Sequence, residues 1–244
     1  MRVVIFGACS AIAQATARIW AAEGAQMFLV DRDLERLEAT RRDLEVRGGV
    51  CAGVVAADLS DCAGHDRLLL EINSKLPDSD TVFIAWGTLG DQKASERDFA
   101  VAAAELQTNF LSVVSILTRV ANYFEQKKSG TIVVISSPAG DRGRQSNYVY
   151  GSAKGGLSVF LSGLRNRLYP FGVKVLTVKP GFVDTPMTAS FKKGPLWVKP
   201  EVIARGIARG VKRGANQIYV PWFWWPIMTI IKHIPEDVFK RIRL

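Results

Sequence analysis

The 244-residue sequence predicts an α/β fold, a doubly wound parallel sheet of about seven strands with helices on both faces. Three observations point to it. Short runs rich in Val and Ile alternate along the chain with helical patterns. The runs are apolar throughout rather than alternating with polar residues, as strands covered on both faces are. Glycines stand where helices should stop: Gly24 after Glu23 and Gly48-Gly49 after Arg47, each directly before the next apolar run.

In chain order, RVVIF precedes the helical AQATARIWAAEG, QMFLV precedes LERLEATRRDLEVRG, and GVVAAD precedes HDRLLLEINSKL. TVFIAW leads into a long helical stretch reaching about Lys128. TIVVISS, a helix from about Asn147 to Tyr169, and VKVLTVKP follow, with a last short strand, QIYVP, at Gln217 to Pro221. No repeat, linker or low-complexity segment interrupts them, so 1–244 is read as one domain with a tryptophan-rich, basic tail at 221–244.

Composition narrows the function classes. No apolar run approaches the roughly 20 residues of a membrane span. MRVVIFGA is too short for a signal peptide. A soluble or peripheral protein is therefore expected. Cys9, Cys51 and Cys62 are odd in number and lack CxxC spacing, which argues against disulfides or zinc and for a cytoplasmic setting. His65 and His233 are the only histidines, so neither a histidine-based triad nor a multi-histidine metal site is expected. The net charge of +9 suits phosphate-bearing substrates or acidic lipid, or is simply a solvated surface. Its cations are dispersed and no recognition motif accompanies them, so no nucleic-acid partner is expected.

The first strand runs into GACSAIA, where Gly7 permits a tight turn and a helix beginning near Ser10 aims its free N–H groups at a phosphate. Ser10, Ala11 and Ile12 would line that phosphate. Ala11 and Ala13 lack the freedom of glycine, which is harmless if both already lie in the helix with negative φ. Asp31 ends the second strand at the distance where a carboxylate takes ribose hydroxyls, its alternative being an ordinary helix cap. Asp31 favours NAD slightly, while Arg32 beside it keeps NADP open. Asp58, with Leu59, ends the third strand and either meets an adenine or begins a turn.

Further along, in ISSPAGDRGRQSNYVYGSAKGGLSVF, Tyr150 and Lys154 stand four apart on one helix face, and Ser137 ends the strand before them. A phenol titrating near 10 is a poor proton donor or acceptor at neutral pH, and a neighbouring ammonium is expected to lower that value. A serine hydroxyl can hold a carbonyl oxygen while hydride arrives.

With these residues in this order, the chain resembles the short-chain dehydrogenase/reductase family over essentially its whole length. The resemblance implies a Rossmann-like, NAD(P)-binding domain and hydride transfer to or from a carbonyl. It implies that Tyr150 is the acid, Ser137 positions the carbonyl, Lys154 binds nicotinamide ribose, and Asn109 in LQTNFLS holds a relay water. Asp58 corresponds to the adenine contact. PGFVDT, with Pro180, Gly181, Val183 and Thr185, corresponds to the grip on the nicotinamide carboxamide. Two departures stand out. The glycine motif keeps one glycine of three, and the usual NNAG is IAWG here, Ile84 to Gly87, so that only Gly87 is carried over and the bracing asparagines are lost.

AWGTLGDQ, YVYGSAKGGL and IIKHIPEDVFKRIRL are also similar to a cell-envelope subgroup of that family, the bacterial reductases of decaprenylphosphoryl-2-keto-ribose. That likeness implies a polyprenyl-phosphate-linked keto-sugar as substrate. Three of the six tryptophans crowd between Pro221 and Pro226, ahead of Lys232, His233, Lys240, Arg241 and Arg243. This is the make-up of a segment lying in a membrane interface, here the inner face of the plasma membrane, or of a tail that packs on a subunit or roofs a cleft. A reductase of a small soluble ketone, sugar or steroid and a non-catalytic nucleotide-sensing scaffold remain the alternatives. The resemblance further implies a homodimer or homotetramer built on the helices that carry Asn109 and Tyr150.

Overall fold

A computed structural model describes residues 1–242, so that Arg243, counted above with the basic residues of the tail, lies outside the described residues. Seven parallel strands form one sheet: β1 (Arg2–Phe6), β2 (Gln26–Asp31), β3 (Val50–Ala56), β4 (Thr81–Ile84), β5 (Gly130–Ile135), β6 (Val173–Pro180) and β7 (Gln217–Val220), in the order β3-β2-β1-β4-β5-β6-β7. The winding reverses between β1 and β4, and the crevice at such a reversal is where ligands meet an open parallel sheet.

The connecting helices are α1 (Ala11–Ala22), α2 (Leu34–Val46), α3 (His65–Lys75), α4 (Gln92–Ser95), α5 (Phe99–Leu106), α6 (Ser112–Lys127), α7 (Tyr148–Leu168) and α8 (Pro200–Arg213). Two further helices, α9 (Trp224–His233) and α10 (Glu236–Phe239), make the tail. Strand alternation divides the core in two. Val4 and Phe6 of β1 face α3, α6 and α7 through Ile72, Ile116 and Leu161. Val3 and Ile5 face α1, α2 and α8 through Trp20, Leu44 and Ile207. Burial on both faces is why these strands read as unbroken apolar runs.

The expected stops are present: Gly24 and Gly48 have φ of 73° and 91°, closing α1 and α2. Other bounds move. The long helical stretch before Lys128 is interrupted, because Asp91 and Asp98 each cap a new helix. The cap of α2 is Asp33, whose carboxylate accepts the Arg36 N–H at 3.0 Å, so the capping alternative for Asp31 is set aside.

Phe99–Lys127 forms 29 helical residues that are long and apolar enough to cross a membrane. Val113, Ile116, Leu117, Val120 and Phe124 of that segment lie in the core against the sheet, while Phe99 and Leu111 are exposed.

His65 is a core residue, 1% exposed, with Nδ1 2.9 Å from Ser115 Oγ and Nε2 3.2 Å from the Leu59 carbonyl oxygen. Burial holds its imidazole below the ordinary range, so it is a neutral structural group.

Candidate active site

Because the strands are parallel, their carboxyl ends deliver Gly7, Asp31, Asp58, Gly87, Ser137 and Pro180 to one edge of the sheet. The nucleotide half is built around β1 and α1. Gly7 has φ of 77°, and a Cβ there would lie 2.5 Å from the Trp86 nitrogen and 2.7 Å from the Ala85 carbonyl carbon. No other residue fits. Ser10 caps α1, its Oγ accepting the Ala13 N–H at 3.2 Å. The non-glycine residues with positive φ among those described are Asp78 and Lys128, so Ala11 and Ala13 both have the negative φ that the sequence required of them. Ala13 is fully buried and belongs to the core cluster beneath α1.

The amides of Ala11 and Ile12 donate to no described group, since Ser10 bonds back to Gly7 and Gln14 to Ser10. A helix N-terminus with two free N–H groups beside a bare Gly7 fits a pyrophosphate. The loop is also clamped. Asp31 Oδ2 accepts the Cys9 N–H at 2.9 Å, Asp31 Oδ1 accepts the Arg32 N–H at 2.8 Å, and Arg36 donates to the Cys9 carbonyl at 3.0 Å. Each Asp31 oxygen keeps a lone pair for a further donor. The Cys9 thiol is pushed up to about 11, by burial first, and is inert. Asp58 does begin a turn: its Oδ1 accepts the Ser60 N–H at 2.9 Å and the Ser60 hydroxyl at 2.7 Å. Those bonds, with Arg32 nearby, hold the carboxyl below its ordinary value and leave Oδ2 for a ligand. Leu59 is buried and gives its carbonyl to His65.

The second half joins β5 to α7. Ser137 lies just past β5 and caps a short turn, Pro138–Asp141, accepting the Ala139 N–H at 3.1 Å. That turn sits directly on the backbone of α7: a Cβ on Gly140 would be 2.5 Å from the Gly155 nitrogen, and one on Gly155 would be 3.0 Å from the Gly140 oxygen. The close approach fixes Ser137 over the face of α7 that carries Tyr150 and Lys154. Lys154 is 3% exposed, with Nζ donating to the Ile135 carbonyl at 3.2 Å and lying 5.8 Å from the centre of the Tyr150 ring.

Asn109 is fully buried in a π-turn, Gln107–Leu111, between α5 and α6. Its Oδ1 accepts the Thr88 N–H at 3.2 Å, and its Nδ2 donates to Thr88 Oγ1 at 3.0 Å and to Glu105 Oε1 at 2.8 Å. Gly87 presses against it, since a Cβ there would be 2.5 Å from Asn109 Oδ1.

Glu105 was missed by the sequence reading. It is 6% exposed, and its Oε2 accepts the Thr88 hydroxyl at 2.6 Å. The signal was available, as an acidic residue one helical turn ahead of Asn109 shares its face. The Trp86 departure is also resolved. Its indole N–H donates to the Thr108 carbonyl and Ser112 Oγ, both at 3.2 Å, and its ring packs edge-on to Phe6 at 6.0 Å. One tryptophan thus braces β4 against α6 where asparagines were expected.

The electrostatics correct one expectation. Tyr150 is not acidified by Lys154. Burial pushes its phenol up to about 12, with the Ser137 hydroxyl working against that shift and the Glu105 charge adding to it. Burial also lowers Lys154 to about 8, with Glu105 pulling the other way. Both groups are desolvated together, so the ammonium is itself weakened and the phenol stays protonated.

Pro180 ends β6, and the Gly181 N–H donates to the Val220 carbonyl at 3.0 Å. Val183 is buried and bridges Val198, while Thr185 caps a short turn closed by Thr188. The tail docks on this segment. Trp224 is 6% exposed, stands so close to Gly181 that a Cβ there would lie 1.7 Å from its Nε1, and meets Phe182 edge-on at 5.0 Å. Arg142, also missed by the sequence reading, donates to the carbonyls of Ile231, Lys232 and Ile234, pairs with Glu236 at 2.9 Å and lies 3.7 Å over the Phe239 ring. The opposite face is bare: Trp222, Trp225 and Ile230 are 77%, 60% and 68% exposed.

Residues 1–195 match the short chain dehydrogenase family. An uncharacterized oxidoreductase of Mycobacterium tuberculosis is 38% identical over 240 residues, covering 98% of this chain and 96% of its own. Among solved structures, a short-chain dehydrogenase from Sphingobium yanoikuyae in complex with NADPH gives a TM-score of 0.82 at 22% identity, over 99% of this chain and 96% of that one. An NAD+-bound xylitol dehydrogenase gives 0.80 at 18% identity, over 90% and 96%. At these identities the two structures share the fold, which is the seven-stranded sheet described above. The family match and the oxidoreductase relative, taken with the sheet-edge site, lead to one conclusion: this chain belongs to the short-chain dehydrogenase family and is an NAD(P)-dependent oxidoreductase.

Proposed function

We propose that the protein is a ketoreductase in which Tyr150 protonates a substrate carbonyl held by Ser137, and that the carbonyl is the keto group of a polyprenyl-phosphate-linked sugar. The observation that carries the reduction is the half-buried phenol of Tyr150, its pKa pushed up to about 12, beside Lys154 and under a serine fixed at the same sheet edge as the free amides of α1. NAD(P)H, when bound, supplies hydride to the carbonyl carbon. Ala11 and Ile12, with Gly7 and Ser10, would hold its pyrophosphate, Asp31 its adenosine ribose, Asp58 and Leu59 its adenine, and Gly87, Tyr150, Lys154 and the Pro180–Thr185 segment its nicotinamide end. Ser137 orients the carbonyl oxygen, Tyr150 gives up its proton to that oxygen, and Lys154 stabilises the phenolate left behind. Asn109, held by Thr88 and Glu105, would hold the relay water that serves Lys154. A catalytically silent scaffold has no need of these desolvated groups, whose burial costs stability.

Support for the lipid-linked substrate comes from the tail. The bare tryptophans of α9 and its approach, with Lys232 and His233 exposed beside them, suit the headgroup region of a cytoplasmic membrane face. The exposed Phe99, Leu111 and Val159 on the helices around the site support a homo-oligomer built there.

Four outcomes test this reading. Tyr150→Phe should lower ketone reduction by about two to four orders of magnitude, the range of a positioned acid. NAD(P)H affinity, read by nicotinamide fluorescence, should stay within a few-fold; an equal loss of affinity would assign Tyr150 to binding. Glu105→Gln removes the carboxylate that raises Lys154, so the Lys154 ammonium should deprotonate below about 8. The alkaline fall of kcat/KM should then begin at lower pH than in the parent, and an unmoved profile would remove Glu105 from this role. NADH should bind more tightly than NADPH, because Asp31 accepts ribose hydroxyls and repels a 2′-phosphate. Asp31→Ala should reverse that order by about tenfold, with Arg32 left to pair with the phosphate. Finally, the full chain should co-sediment with vesicles containing anionic lipid, and Trp222→Ala with Trp225→Ala should release it; reduction of a soluble ketone without vesicle binding would favour a tail that serves only as a roof.

A further inference from the structure

The loop between Ser137 and Tyr150 carries an unpaired cation. Arg144 is partly buried, and its Nε is shielded from solvent without a hydrogen-bond partner. No described carboxylate pairs with it. Its neighbours are otherwise committed. Asp141, the acid whose charge reaches Arg144, receives Lys179 Nζ at 2.5 Å and the Tyr219 hydroxyl at 2.7 Å, and the Lys179 and Asp141 side chains are 6% and 4% exposed. Arg142 is spent on the tail. Three cations and two carboxylates meet around this loop, Lys179 with Asp141 and Arg142 with Glu236, and Arg144 is the cation left over.

Asn147 completes the picture. It stands at the N-cap of α7, yet its side chain makes no capping bond, and a cap is supplied instead by Gln92, whose Oε1 accepts the Val149 N–H at 3.1 Å. Asn147 Oδ1 is buried and unpartnered too, and the Asn147 N–H donates to the Arg144 carbonyl at 3.0 Å, so one turn presents both orphans. Burying an unmatched guanidinium is costly: burial lowers its pKa, while arginine still keeps its proton. A ligand that brings an oxyanion and a hydroxyl would satisfy both groups, the oxyanion meeting Arg144 in charge-assisted hydrogen bonds and the hydroxyl donating to Asn147.

We infer that Arg144 and Asn147 form a subsite for the phosphate and a neighbouring hydroxyl of a sugar-phosphate substrate. The inference rests on the ketoreductase reading for the loop's place beside Ser137 and Tyr150. It deepens that reading by assigning the residues that select an anionic keto-sugar over a neutral one. The phosphate is either the monoester of a soluble sugar or the diester of a lipid-linked one.

The test uses the full chain saturated with NADH or NADPH, so that the α1 N-terminus is filled before any phosphate probe is added. Ribose, ribose 5-phosphate and methyl ribosyl 1-phosphate are then titrated at fixed ionic strength, with binding followed by thermal melting and tryptophan fluorescence. The phosphorylated riboses should raise the melting midpoint and ribose should not, the monoester leading for a soluble substrate and the diester for a lipid-linked one. Arg144→Met should weaken phosphate binding about tenfold or more, the range of a lost charge-assisted bond, with cofactor binding retained. Asn147→Asp, which sets a carboxylate in the same turn as Arg144 without changing shape, should do the same and guards against a folding defect in the first variant. A phosphate response absent from the parent protein, or unchanged in both variants, overturns the subsite. Failure to bind either reduced cofactor overturns the ketoreductase reading instead, and the two failures are separate readouts.

Discussion

The contact on which the substrate half of this protein depends is the backbone approach of the Ser137 turn to α7. Gly140 lies so near the Lys154 carbonyl carbon and the Gly155 nitrogen that no side chain fits between, and Gly155 returns the same bareness toward the Gly140 oxygen. A serine on a strand end and a tyrosine on a helix are ordinary features. Pressed together with no side chain as spacer, they become one rigid unit, and a rigid site holds its dipoles without reorganising during reaction. Ser136 reinforces the seam, with its hydroxyl on the Lys154 carbonyl at 3.1 Å and 2.8 Å from Ser158 Oγ.

Desolvation then sets the chemistry. Lys154, Asn109 and Glu105 are buried and Tyr150 is half-buried beside them, so desolvation weakens the ammonium and the phenol's acidity at once. The carboxylate of Glu105 offsets part of the cost at Lys154. A buried carboxylate without donors would itself be unstable, and this one is held by Thr88 and Asn109. The result suits a group that must hold its proton until a carbonyl arrives. It suits a base less well.

The nucleotide half solves a different problem. With one glycine instead of three, the loop gains its shape from Gly7, from the helical geometry of Ala11 and Ala13, and from a clamp on the Cys9 peptide by Asp31 and Arg36. Asp31 is therefore a structural acceptor as well as a candidate ribose ligand, and the two uses are compatible because each oxygen has a second lone pair. The tail adds a roof over the Pro180–Thr185 segment, tied down by Trp224 and Arg142, while its outer tryptophans remain bare.

What the sequence alone determined was local and periodic. Apolar runs of strand length, glycine stops and the alternation of strand with helix lead to a parallel sheet, because a chain buried on both faces cannot hide that pattern. Strand ends then bring Gly7, Asp31, Asp58, Ser137 and Pro180 to one edge, and helical spacing puts Tyr150 and Lys154 on one face. Tertiary structure decided everything that depends on distance between separate elements: that Asp33 and not Asp31 caps α2, that Trp86 replaces a polar brace, that Glu105 enters the site through Thr88 and Asn109, and that Arg142 is consumed by the tail while Arg144 is not. The direction of the Tyr150 shift belongs to the same group. Spacing placed the ammonium beside the phenol, but the sign came from how little water reaches either, and solvent exclusion is a property of the packed molecule that no stretch of sequence carries by itself.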